Sequence, residues 1–257
     1  MNVRSRRLAG TSLAAVGAMA LAVAPALAAS DTTVSGNLQP VANNNVSAVS
    51  GTASVQVSGD MVTVTVAATG LLAGSPHAAH IHFAAAATHA CPTIADDKNG
   101  DGHINTTEGG PAYGSVKVSL TKTGDTSPKS ALAISRFDTA AGGKISYERG
   151  SIQVSPELAA GLKAGQAAIV VHGVDYNKNG KYDGATKSDL DPSLPTEATD
   201  PALCGILKVA PAGGMATGGG GTAAGSNQSL LLVGGGLLLA GAGAGAFALK
   251  RRSNAAA

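Results

Sequence analysis

The sequence contains no tryptophan, three phenylalanines and four tyrosines in 257 residues. A core built from this chain must therefore be Val, Ile, Leu and Ala. Charge is also scarce, at 13% Asp, Glu, Lys and Arg. The net charge of +2 says little about partners, because basic residues gather at the two ends (Arg4, Arg6, Arg7; Lys250, Arg251, Arg252). No basic patch is interleaved with aromatics, so nucleic acid is not an expected partner. There is no G-x-S-x-G, no phosphate loop and no H-E-x-x-H, which leaves the hydrolase and nucleotide chemistries of those motifs without support. Cysteine is limited to Cys91 and Cys204.

What is present starts with targeting. A basic stretch, an apolar run from Leu8 to Leu27 and an A-x-A ending at Ala28 predict a signal peptide over residues 1–28, to be excluded from the fold. Arg6-Arg7 hints at twin-arginine export. Residues 212–228 are glycine-rich and read as a flexible linker. Residues 229–249 are apolar and uncharged, long enough for a transmembrane helix across a core of about 30 Å. The basic tail 250–257 follows and belongs in the cytoplasm, so the body of the protein faces outward. A short motif, an apolar span and a basic tail together resemble sortase-type cell-wall sorting signals. The Met215-Ala216-Thr217-Gly218 stretch departs from their LPxTG form. The expected location is outside the cytoplasm, anchored in the membrane or the cell wall. Two cysteines in such an exported domain predict one disulfide, Cys91–Cys204, closing a loop of 113 positions.

Residues 29–211 remain as one domain. Strand signals dominate it. Ser54-Val55-Gln56-Val57 and Met61-Val62-Thr63-Val64-Thr65-Val66 alternate with period two around a Ser58-Gly59-Asp60 turn, which predicts a hairpin. Further strands are expected at 32–38, 78–83, 114–121, 130–136, 144–148, 167–172 and 205–209, with one or two helical turns at 156–162. Many short strands with Gly and Asn turns predict an all-β sandwich or barrel.

The six histidines all lie in this domain, at 77, 80, 82, 89, 103 and 172. In His80-Ile81-His82 the two imidazoles leave a strand on the same face, half of a transition-metal site. His172 ends the apolar run Ile169-Val170-Val171. It is either a satisfied core histidine or a third ligand for the pair. His77 and His89 read as loop residues.

Asp97 to Glu108 satisfies the twelve-residue calcium loop. Asp97, Asn99 and Asp101 take positions 1, 3 and 5, Gly102 makes the turn at 6, His103 offers its carbonyl at 7, Asn105 stands at 9 and Glu108 at 12. Pro92 before the loop and Gly109-Gly110-Pro111 after it predict an insertion between strands rather than a helix–loop–helix. The alternative is a solvated Asp/Asn/Gly turn. A second segment supplies oxygens from Asp175, Asn177, Asn179 and Asp183 with Gly180 at the turn, but Thr186 stands at position 12, where a carboxylate is wanted.

Ala68-Thr69-Gly70-Leu71, then His80-Ile81-His82 with Cys91 nine residues beyond, then Ala168–His172, then Leu203-Cys204-Gly205-Ile206-Leu207, resemble the copper/zinc superoxide dismutase family in that family's order, over roughly residues 50–210. The resemblance implies a Greek-key β-barrel with copper held by His80, His82 and His172. Where the family carries a bridging histidine and zinc ligands, this chain has the calcium-type loop. Zinc is therefore not expected, and His103 is the one histidine there that could complete a copper site. The family's anion-steering arginine before the second cysteine is replaced by Asp200-Pro201-Ala202-Leu203. The Ala78–His82 string also resembles the CHRD domain, a secreted module that implies a non-catalytic role.

Overall fold

A computed structural model describes residues 31–210, save 45 and 47. The expected signal peptide (1–28), linker (212–228), membrane span (229–249) and basic tail (250–257) lie outside the described residues. Among those described, no helix is long and apolar enough to cross a membrane.

In chain order the elements are β1 (Thr32–Pro40), β2 (Ser50–Ser58), β3 (Met61–Thr69), β4 (Pro76–His77), β5 (Ala79–Phe83), α1 (Thr106–Tyr113), β6 (Ser115–Ser119), β7 (Asp138–Thr139), β8 (Lys144–Gln153), α2 (Pro156–Lys163), β9 (Ala168–His172), α3 (Thr196–Thr199), β10 (Pro201–Ile206) and β11 (Lys208–Val209). The fold is all-β in its framework. One antiparallel sheet runs β6-β5-β9-β10-β1-β2-β3-β8, with β11 also pairing β1 and a separate β4–β7 ribbon. The sheet curls into a half-barrel, so that side chains from its two ends meet in one core.

Period-two alternation decides which side chains enter that core. Val55 and Val57 of β2 and Val62, Val64 and Val66 of β3 point inward, while Thr63 and Thr65 do not. Ile81 and Phe83 of β5 and Ile169 and Val171 of β9 join them. The opposite parity of the same strands faces outward, where Ala168, Val170 and Cys204 form a smaller cluster with Val41, Ile104 and Tyr113. That second cluster is what the long connection 84–114 packs upon. Its cover is stapled by the Cys91–Cys204 disulfide, with Cα atoms 5.7 Å apart. The core is Val, Ile, Leu and Ala with few aromatics, as the composition requires.

The expected strand at 130–136 is absent. Two short 3₁₀ turns, Pro128–Ser130 and Ile134–Arg136, stand there instead. The side chains make a better local set of bonds than a ladder would. Asp125 accepts from the Ser127 and Ser130 hydroxyls, and the Arg136 guanidinium donates to the Thr123 carbonyl and the Ser130 hydroxyl. The expected strand at 205–209 is β10 and β11 with a break at Leu207, and β8 runs five residues beyond its expected end at 148. Gly109-Gly110-Pro111 does not forbid a helix. α1 forms because Asn105 and Glu108 make a reciprocal capping box, and because Ala112 and Tyr113 are buried at its end.

Candidate metal centre

His80 and His82 sit on the outward parity of β5, and His172 ends the adjacent strand β9 on the same side. All three are buried, with 4%, 1% and 3% of their surface exposed. Their ring centroids lie 5.0 to 5.9 Å apart. Each ring spends one nitrogen on a backbone carbonyl: His80 Nε2 on Ala131 (3.1 Å), His82 Nδ1 on Gly114 (2.9 Å) and His172 Nδ1 on Thr199 (2.6 Å). A carbonyl can only accept, so those nitrogens carry the proton.

The remaining nitrogens, His80 Nδ1, His82 Nε2 and His172 Nε2, are buried with no hydrogen-bond partner. One ring nitrogen from each of His80, His82 and His172 lies within 4.8 Å of the others. Burial keeps the rings neutral. It lowers His82 to about 3 and His172 to about 4, and it lowers His80 well below its ordinary value, with neighbouring imidazoles adding to the effect. Each free nitrogen is therefore a lone pair. Three lone pairs cannot satisfy one another, and an unsatisfied buried acceptor costs about 1–3 kcal/mol. A cation among them removes that cost. Carbonyls orienting the far nitrogen of each ring are the outer shell that metal-ligating histidines require. The trio can hold a transition-metal ion. The donor set does not select which one, since imidazole suits zinc, copper, iron and nickel.

The other histidines stand apart. His103 does not join the trio. Its ring packs on Tyr176 at 4.0 Å, with Nδ1 3.3 Å from the Asn43 carbonyl. His77, expected in a loop, is buried in β4, with Nδ1 2.8 Å from the His172 carbonyl and the Tyr182 hydroxyl against its ring. His89 lies in a loop and stacks on Phe83.

The calcium-type loop closes on itself. The Asp97 carboxylate accepts from the Gly100 and Gly102 amides, Asn99 Oδ1 from the Asp101 amide and Asp101 Oδ1 from the His103 amide. Gly102 turns the chain with φ +87°. Glu108 reaches back: Oε1 accepts from the Lys98 and Asn99 amides and Oε2 from the Asn105 amide. These amides belong to loop positions 2, 3 and 9. Ile104 is buried, and the Asn44 side chain bonds both its amide and its carbonyl. Only a 3₁₀ turn, Ile94–Asp96, precedes the loop, while α1 follows it. It is thus half of a helix–loop–helix.

The second segment contains the residue that sequence reading missed. Asp175 accepts from the Asn179 and Gly180 amides, and Asn179 Oδ1 from the Lys181 amide. Thr186 supplies no carboxylate, but Glu197 of α3 does. Its Oε1 accepts from the Tyr176 and Asn177 amides at 2.9 and 3.4 Å, and its Oε2 from the Asp183 amide at 2.8 Å. Those amides are again positions 2, 3 and 9, so Glu197 stands to its loop as Glu108 stands to the first. No local signal could have found it, because it lies fourteen positions beyond Asp183.

Both loops connect to the trio. α1 carries the carboxylate Glu108 at its start and Tyr113 at its end, where Tyr113 packs 4.6 Å from His82 and Gly114 orients it. α3 carries Glu197 and then Thr199, whose carbonyl orients His172 and also accepts from the Thr106 hydroxyl at 2.7 Å. Asp200 follows, buried, with its carboxyl on the Tyr176 and Thr196 hydroxyls, and burial raises it to about 7. No protein-family model matches the chain, and no curated protein matches it.

Proposed function

We propose that this chain is an exported, surface-anchored metal-binding protein with a superoxide dismutase-like Greek-key domain, whose His80, His82 and His172 hold copper. The carrying observation is the convergence of three buried, unpartnered imidazole nitrogens. When bound there, copper supplies one-electron redox chemistry. The chain contributes three neutral, buried rings fixed by the carbonyls of Ala131, Gly114 and Thr199. Superoxide is the substrate that the family resemblance implies, and without a steering arginine it arrives at the unassisted encounter rate. The disulfide is compatible with a location outside the cytoplasm.

The test uses the full-length protein from an exporting host. Wild type retains about one copper per chain, and the His80→Ala/His82→Ala variant retains none. Dismutase activity of the loaded protein stands above that of copper in buffer. Equal copper content in both proteins refutes the site, and activity no higher than free copper refutes the redox reading alone.

A second reading is favoured by the repeated carboxylate pattern of Glu108 and Glu197. In it the protein is a non-catalytic, calcium-ordered envelope module of CHRD-like type, with calcium held by Asp97, Asn99, Asp101, the His103 carbonyl, Asn105 and Glu108. Asp175, Asn177, Asn179, Asp183 and Glu197 form its second site. Calcium that binds only the folded state raises the melting temperature by mass action. No shift at millimolar calcium removes this reading.

A further inference from the structure

Two of the three carbonyls that orient the trio belong to the helices that close the calcium-type loops. Gly114, whose carbonyl holds His82 Nδ1 at 2.9 Å, caps α1, and the first turn of α1 carries Glu108. Thr199, whose carbonyl holds His172 Nδ1 at 2.6 Å, ends α3, and the first turn of α3 carries Glu197. The two helices are tied together, because the Thr106 hydroxyl at the start of α1 donates to that same Thr199 carbonyl at 2.7 Å. The second loop reaches His172 again through Tyr182. Its hydroxyl lies 3.0 Å from His77 Nε2, and His77 Nδ1 lies 2.8 Å from the His172 carbonyl. The third orienting carbonyl, Ala131, stands among the turns held by Asp125 and Arg136 rather than on a loop helix.

Loop closure gathers the carboxylates of Asp97, Asp101 and Glu108 in the first loop and of Asp175, Asp183 and Glu197 in the second. Among the described residues the one ion pair joins Lys122 to Asp138, so none of the six is paired with a side-chain cation. Their mutual repulsion opposes the closed loops, and a divalent cation removes it. We infer that calcium in the two loops raises the affinity of the His80–His82–His172 site for copper, by holding α1 and α3 in the arrangement that fixes His82 and His172. A ring already fixed loses less freedom when it takes a metal, so the two kinds of ion favour each other. Outer-sphere partners of this kind are worth about 10- to 100-fold in metal affinity, so a coupling of about tenfold is expected. Charge alone gives the opposite sign, because a bound calcium ion repels a second cation. The inference rests on the copper reading for the trio and on the calcium reading for the loops, and the two sets of side chains do not overlap.

The test measures Cu(II) affinity of the full-length protein by competition with free histidine, in millimolar calcium chloride and in sodium chloride of the same ionic strength. Calcium tightens copper binding by about tenfold, and copper-loaded protein binds calcium more tightly by the same factor in calorimetry. The Glu108→Gln/Glu197→Gln variant binds copper equally in both buffers. In copper-free wild type, calcium slows solvent exchange of the Nδ1 protons of His82 and His172 more than that of the Nε2 proton of His80. A gain below about threefold in wild type, a loss of copper affinity, a calcium effect that survives in the double variant, or equal slowing at all three rings overturns the inference. Those outcomes leave both metal readings intact. A wild type that retains no copper, or copper retained after His80→Ala/His82→Ala, overturns the copper reading and the inference with it. A wild type that binds no calcium in calorimetry overturns the calcium reading and the inference with it.

Discussion

Glu197→Gln is the substitution that most directly probes how the second loop is built. Glu197 is 3% exposed and accepts from three backbone amides, at 2.9, 3.4 and 2.8 Å. A glutamine keeps one oxygen, which can still serve Tyr176. Its amide nitrogen then faces the Asp183 amide, donor against donor. The loss is one hydrogen bond to a charged acceptor and the charge-assisted part of the others, together about 2–4 kcal/mol. For a domain of this size that lowers the melting temperature by roughly 5–15 °C. The calcium response separates the two roles of the residue. At a thousand times the dissociation constant, each occupied site adds about 4 kcal/mol. Wild type binds two calcium ions by calorimetry, Glu197→Gln and Glu108→Gln bind one each, and the double variant binds none. A Glu197→Gln protein that keeps both ions refutes the equivalence of Glu197 and Glu108. A melting temperature within a degree or two of wild type in calcium-free buffer refutes the hydrogen-bond argument itself.

Acid and reduction test other parts of the structure. His82 and His172 titrate at about 3 and 4 in the folded protein against 6.5 when unfolded, and His80 is lowered too. Between those values the unfolded chain binds more protons, so metal-free protein is most stable above 6.5 and loses stability as pH falls from 6.5 toward 4. Asp200, raised to about 7 from 3.8, acts in the opposite sense over the same window, but one carboxyl is set against three imidazoles. Denaturant midpoints measured from pH 7.5 to 4.5 should fall, and a rise would refute the buried neutral trio. Replacing both Cys91 and Cys204 with serine reopens a 113-position loop worth about 4–5 kcal/mol in the chain-entropy account, or roughly 10–20 °C in melting temperature. A loss under about 1 kcal/mol would show that the packing of residues 84–114 already orders the loop.

Much of the framework was legible because strands declare themselves locally. The β2–β3 hairpin follows from alternating valines around Gly59-Asp60, and the helical turns expected at 156–162 are α2, where the structure adds a Ser155 cap and buries Leu158 and Leu162. The strand expected at 130–136 failed because Asp125, which lies outside that window, and Arg136 at its end bind the segment into turns. α1 was excluded on Gly109-Gly110-Pro111. The capping box and the burial of Tyr113 outweighed the poor propensity of those residues. Propensity is a weak prior wherever a side chain finds a better tertiary partner.

By itself the sequence determined the parity of His80 and His82, the oxygen pattern of Asp97 to Glu108 and the pairing of two cysteines, because each depends on spacing along one element or on a count of two. Tertiary structure alone decided the rest. It brought His172 to the pair and kept His103 away, because only the β5–β9 pairing and the covering loops set those distances. It left three ring nitrogens without partners by spending the other three on carbonyls from separate segments. It gave the second loop its missing carboxylate from α3, a residue that no spacing rule along the loop could reach.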